Sequence, residues 1–181
     1  MQSVLKTGVS LLLTILPYSA CVVAAEPGKT SGSAADNAYA AKLWSYMRDN
    51  KLVGAGRQRS FPFEGSRPHG SIQEIIATDA TIDGQQGRLL VKHNYAGEGD
   101  LTPGTVYAAE AAQDYVALTV MFQREAGYDA TNGNWFWAEY NPDGSVLNYQ
   151  GTDLSGRVPM CLGCHIPLGG NDREVLNGTS R

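Results

Sequence analysis

The sequence predicts an α+β fold, mainly an antiparallel β-sheet with an N-terminal helix and a functional loop at the C-terminus. Three observations carry that prediction. From residue 71 onward the apolar residues recur with a period of two, as in strands with one buried face. Only one segment, near the start, shows the three-to-four spacing of an amphipathic helix. Asn141-Pro142-Asp143-Gly144 is a strong turn, and Ser145 to Gln150 behind it reads as a strand pairing back in a hairpin.

The helix is expected from Asp36, as its cap, through Asn50. Tyr39, Leu43, Tyr46 and Met47 make one apolar stripe suited to packing on a sheet. Residues 54–70, rich in Gly, Arg, Ser and Pro, read as a long irregular loop ending in Arg67-Pro68-His69-Gly70. Ile72, Ile75 and Ile76 mark a strand over 71–78. Arg88 to Tyr95 alternate, with Leu89, Val91, His93 and Tyr95 on one face and Leu90, Lys92 and Asn94 on the other. Residues 97–112 read as a loop with a short helical turn. Tyr115 to Gln123 alternate again through Val116, Leu118, Val120 and Phe122, and Asn134 to Tyr140 is aromatic and strand-like. Four or five antiparallel strands and one helix make a single domain.

The first residues read as an export signal. Met1 to Lys6 are a short basic start, Gly8 to Pro17 an apolar run too short to span a bilayer, and Val23-Ala24-Ala25 a small-residue cleavage site. Residues 1–25 are therefore expected to be removed, and the location is periplasmic. Cys21 offers the alternative of a lipid-anchored product, against which stands Tyr18 where that signal wants leucine. Residues 26–35 are small and polar and read as a mobile leader, which leaves 36–181 as the domain. Removing the one lysine of the signal from 14 basic residues against 18 acidic ones leaves a net charge of −5. That balance excludes nucleic acid and anionic membrane surfaces as partners.

Cys161-Leu162-Gly163-Cys164-His165 spells C-x-x-C-H, the pattern for covalent attachment of a c-type haem. Two thiols add to the vinyl groups on one porphyrin edge, and His165 is placed to ligate the iron. A zinc ribbon needs a second cysteine pair, and the only other cysteine is Cys21. A thioredoxin-like motif needs an early βαβ context, whereas this one lies in a Gly/Pro-rich tail. The C-terminal loop is thus expected to bind one haem c through Cys161 and Cys164. The all-helical haem folds are disfavoured, because the chain has too few helical segments.

With a C-terminal haem motif on a mostly β domain, the chain resembles the cytochrome P-460 family, which includes the cytochromes c′-beta. The resemblance covers about residues 66–165 and rests on short motifs in the family's order. These are Ser66 to Gly70, Gly87 to Lys92, Thr119 to Phe122, Gly127 to Trp137 and Cys161 to His165. It implies an antiparallel sheet, a homodimer and a five-coordinate iron with an open distal side. In P-460 members a lysine of the Val-Lys strand motif is joined to a haem meso carbon, and Lys92 holds that place here. The c′-beta members lack that bond and keep an apolar distal pocket. Read from the residues alone, Lys92 is equally a solvated lysine or the partner of a propionate.

Met47, Met121, His69 and His93 are the candidate sixth ligands, and none is compelling. Met160 adjoins the haem motif and cannot reach the opposite side. His93 follows Lys92 on a strand and so points away from it. His69 is assigned a hydrogen-bonding role, and Met121 is read as core. An open distal position is the expectation. Phe136, with Trp135 and Trp137, is expected to wall it. Glu139, on the face of Trp135 and Trp137, is the candidate general base, although a solvated acid reads the same way. Arg67 and Arg157 are candidate partners for the propionates.

Two functions follow from the resemblance. The first is a haem oxidoreductase that converts hydroxylamine to nitrogen oxides with Lys92 and Glu139 at its centre, passing electrons to a partner cytochrome. The second is a nitric-oxide-binding protein without turnover. A six-coordinate electron carrier is the third possibility and lacks a convincing second ligand.

Overall fold

The structure, a computed structural model, describes residues 31–96, 101–108 and 115–168. The expected export signal and Cys21 lie outside the described residues, as does the first half of the proposed leader, residues 26–30. The architecture is α+β: a six-stranded antiparallel sheet with an N-terminal helix across one face.

Helix α1, Ala34–Asp49, starts at Ser33 rather than Asp36. The Ser33 hydroxyl accepts from the Asp36 amide at 3.1 Å, and Asp36 turns back as acceptor to Ser33. This reciprocal capping box satisfies two amides that the helix itself cannot. Ser31 also bridges to Gly156, so the domain begins at least five residues before the expected boundary. The stripe packs on the sheet as expected. Leu43 and Met47 are fully buried, Tyr39 and Tyr46 partly so, and Ala40 accepts the Tyr140 hydroxyl at 2.8 Å.

The sheet runs β1 (Phe63–Glu64), β2 (Ile72–Ile82), β3 (Gln85–Tyr95), β4 (Ala117–Gln123), β5 (Trp135–Tyr140), β8 (Ser155–Gly156), every pair antiparallel. β2 is longer than expected, because Asp83 and Gly84 close it onto β3 with φ of 51° and 77°. Positive φ at both positions is what a two-residue hairpin turn requires, and Asp-Gly supplies it readily. The predicted strand 145–150 forms only in part. Val146 bridges to Tyr140, then β6 (Asn148–Tyr149) pairs with β7 (Thr152–Asp153).

The helical turn expected in 97–112 is α2, Pro103–Ala108, where Thr102 Oγ1 accepts from the Thr105 amide at 3.1 Å. The C-terminal segment read as a loop is instead a helix, α3, Pro159–Leu168. Its prolines and glycine argued against helix, yet Pro159 stands at the first helical position, where a missing amide hydrogen costs nothing.

Two cores result, one on each face. Leu89, Val91, Leu118, Val120, Phe122, Phe136, Ala138 and Tyr140 pack beneath α1. Leu90, Met121, Trp135, Trp137, Leu154 and Val158 form a smaller cluster against α3. The second face carries the chemistry.

Candidate functional site

On that second face the register sets side chains in rows. Ile75, Lys92, Thr119 and Glu139 stand side by side across β2 to β5, and Ala77, Leu90, Met121 and Trp137 form the next row. Helix α3 lies over these rows. Residues three and four apart on a helix share a stripe, so Cys161 is neighbour to both Cys164 and His165. That stripe sets two sulfurs and an imidazole next to one another.

The two surfaces enclose a small, partly open cavity of about 30 Å³. His69, Ile75, Leu90, Lys92, Thr119, Met121, Trp137, Cys161 and His165 line it. The structure therefore brings Lys92, Cys161 and His165 together from β3 and α3. His165 is buried, with its ring edge-on to Trp137 at 4.7 Å between centroids. Cys161 is half-buried and Cys164 is exposed. Burial, with the charges of Glu139 and Cys164 nearby, pushes the Cys161 thiol up to about 12.

The donor set fits a c-type haem. Mostly apolar walls with a few convergent polar groups are what a flat cofactor requires. Trp137 Nε1 is buried and without a hydrogen-bond partner, a donor left for something the polypeptide does not supply.

Lys92 is the least ordinary group here. Burial lowers its amine to about 8, and no ion pair or hydrogen bond holds it among the described residues. No carboxylate of the described residues pairs with it, and its side chain is only partly exposed. At pH 7 about a tenth of the amine is then unprotonated and nucleophilic, far more than for an ordinary lysine. The folded protein thus releases this proton about two and a half pH units below the unfolded chain. The charged amine costs stability in full below pH 8, and the cost fades as pH rises toward 10.5. In a haem-free background, Lys92→Met is expected to stabilise the fold at pH 7 by about 2 kcal/mol, allowing for water that still reaches the side chain. Denaturant titrations at pH 7 and pH 11 check this, since the gain has to vanish at the higher pH.

The remaining expected residues divide between the two faces. Glu139 shares Lys92's row but is two strands away, about 10 Å along the sheet. It does not line the pocket, although its charge reaches Cys161 and burial raises its carboxyl. Phe136 is a correction. Alternation sends it to the opposite face, where its ring meets Tyr39 at 4.9 Å and Tyr128 at 6.2 Å. It cannot wall the pocket that Trp137 walls.

Arg67 is exposed on the loop before β2, in a separate open hollow with Pro68 and Gly70. Arg157 stacks over Tyr128 at 4.9 Å and donates to that residue's carbonyl. Met47 lies in the core under α1, and His93 packs on Tyr115 on that same side.

His69 is the residue that sequence reasoning underrated. It lines the pocket, 6.3 Å from His165 between ring centroids. Burial first, then the charges of Lys92 and His165, lowers its imidazole to about 4. Loop residues have no periodicity to place them. The one available signal was the Pro68-His69-Gly70 run just ahead of a strand.

No family model, curated protein or solved structure matches this chain.

Proposed function

We propose that the chain is a periplasmic mono-haem c-type cytochrome of the P-460 kind. It oxidises hydroxylamine to nitrogen oxides and passes the electrons to another cytochrome. The observation that carries this reading is the meeting of Lys92 with Cys161 and His165 in one pocket, with Cys164 exposed beside it on the same helix. Cys161 and Cys164 would hold the haem, His165 would ligate its iron, and the haem would supply one-electron redox chemistry and a metal position for a small nitrogen compound.

The chain's own residues account for the rest. Leu90, Ile75 and Met121 exclude water from the pocket. Trp137 packs against the His165 ring and fixes its orientation. Lys92, its amine lowered by burial, would be the residue available for the lysine cross-link that the resemblance implies. That bond would replace an amine N–H and a meso C–H, with two protons and two electrons passing to a peroxide oxidant, and would tune the macrocycle. Each electron taken from hydroxylamine is accompanied by proton loss. The Glu139 carboxylate, raised by burial, is a station for such protons at the pocket's flank. The homodimer implied by the resemblance belongs to the same proposal.

The apolar lining favours a second reading, capture of nitric oxide without turnover, as in the c′-beta branch. Tryptic digestion of the holoprotein followed by mass spectrometry separates the two. One haem joining the Cys161–His165 peptide to the Lys92 peptide is the expected result, with hydroxylamine oxidation falling at least tenfold in Lys92→Leu, about 1.4 kcal/mol of barrier. A haem peptide carrying the cysteine segment alone would move the assignment to gas binding. A Lys92→Leu variant with full activity would remove the role given to the cross-link.

A further inference from the structure

We propose that the open edge of β2 pairs with the same edge of a second copy of the chain, joining the two sheets about a twofold axis at Thr78. The proposal gives the homodimer named above its interface. It rests on the fold and not on the haem reading.

The first support is an unfinished sheet. β1 pairs with β2 only at Ile72 and Gln73, so residues 74–82 have β3 on one side and no strand on the other among the described residues. The two-residue turn at Asp83 and Gly84 makes Ile82 and Gln85 a hydrogen-bonded pair, and such pairs alternate along an antiparallel ladder. The even-numbered residues of β2 therefore bond to β3, and the odd-numbered ones turn their N–H and C=O outward. The Gly65 amide, which donates to the Ser71 carbonyl at 2.7 Å on that outer side, agrees with this parity. Ile75, Ala77, Asp79 and Thr81 are left with outward backbone groups. Of these only the Asp79 carbonyl has a described partner, the Thr78 hydroxyl at 3.3 Å.

The second support is that this edge carries little of what keeps edges apart. Open edges are commonly guarded by lysine, proline or a bulge. Residues 74–82 contain neither lysine nor proline, and their register with β3 runs without a bulge. Asp79 is the one exposed charged side chain on the stretch, and Arg88 stands opposite it on β3.

The third support is the register, which commits the edge to its own copy. A twofold axis sets a strand antiparallel to itself. Residue 78 is the midpoint of 74–82, so pairing the whole free stretch puts Thr78 against the partner's Thr78. Ile76 then meets the partner's Ala80, and Ala77 meets the partner's Asp79. Facing threonines suit such a position, small side chains flank the axis, and the two Asp79 carboxylates are not opposed.

The test uses the purified holoprotein, and neither readout depends on what the pocket holds. Sedimentation equilibrium at tens of micromolar is expected to show a dimer. Ala77→Pro removes an outward N–H and keeps the bonds to β3. It is expected to weaken association at least about a hundredfold with circular dichroism unchanged. Thr78→Cys is expected to form a disulfide between copies under mild oxidation, because facing residues at a non-hydrogen-bonded position stand about 4.5 Å apart at Cα. Thr81→Cys is the control, since its two copies would lie about 20 Å apart and should not cross-link. The parent, oxidised alongside, sets the background from Cys161 and Cys164. A monomer at that concentration overturns the proposal and the homodimer with it. A dimer that Ala77→Pro leaves intact and Thr78→Cys does not bridge overturns the interface alone, in favour of another surface such as the exposed Phe61 and Tyr107 rings, 5.3 Å apart. Covalent haem, read by mass on the same material, stands or falls separately.

Discussion

Replacing Cys161 and Cys164 together by alanine is expected to yield a folded protein with no thioether-attached haem. The loss is complete rather than partial, because each thioether forms when a thiol S–H adds across one vinyl group and nothing else in the described domain offers a second thiol pair. The two single variants should differ. Cys161 lines the pocket and is half-buried, so Cys161→Ala removes the bond that seats the group and should leave little attached haem. Cys164 is exposed at the surface, and Cys164→Ala should retain a single thioether at reduced yield. The scaffold should survive in all three, since the core beneath α1 does not involve α3. Mass after denaturation reads attachment, and circular dichroism reads the fold. Haem that stays on the double variant after unfolding, and that digestion finds on no Lys92 peptide, would refute the assignment of these sulfurs.

Much of this site was legible because strands reveal their faces. The alternation in β3 put Leu90 and Lys92 on one side and His93 on the other, and the structure places them so. The same rule was there to be applied to Trp135-Phe136-Trp137. Reading three aromatic residues as one wall overlooked that Phe136 must turn its back on its neighbours.

What stayed hidden depends on tertiary packing. The length of β2 was underestimated because Thr78, Asp79 and Thr81 are polar, yet these residues lie toward the hairpin end of the sheet, where polar side chains meet water. Helix α3 was hidden by Gly163 and two prolines, residues whose helical cost depends on position rather than presence. His69 is positioned by two close glycine contacts that no local pattern encodes. Residues 54–70 read as a long irregular loop, but Arg57 is buried there. The available signal lay elsewhere, in Glu74. A carboxylate at the i+2 position between Ile72 and Ile76 faces the core, and a charge in a core demands a partner.

That partnership carries the largest stability effect expected in the fold. Glu74 is fully buried and accepts from Arg57, from Arg59 Nε at 2.7 Å and from the Tyr95 hydroxyl at 2.8 Å. One carboxylate thus satisfies three donors and ties the 54–60 segment to β2 and β3. Glu74→Leu leaves the Arg57 guanidinium buried without its counter-charge, a loss of about 3–5 kcal/mol. At about 2–4 °C per kcal/mol for a domain of this size, Tm should fall by roughly 10 °C. Glu74→Gln should cost less, because its amide oxygen still accepts one of the donors while its NH2 group faces a guanidinium. The exposed Lys42–Asp83 pair, at 2.5 Å, is the control, and Lys42→Ala should cost under about 1 kcal/mol. Urea denaturation of the three variants ranks them directly. A Glu74→Leu midpoint within error of the parent would mean that the buried cluster contributes nothing net. Because Glu74 lies on the face away from Lys92 and His165, whichever fraction of Glu74→Leu remains folded should keep the parent's haem spectrum unchanged.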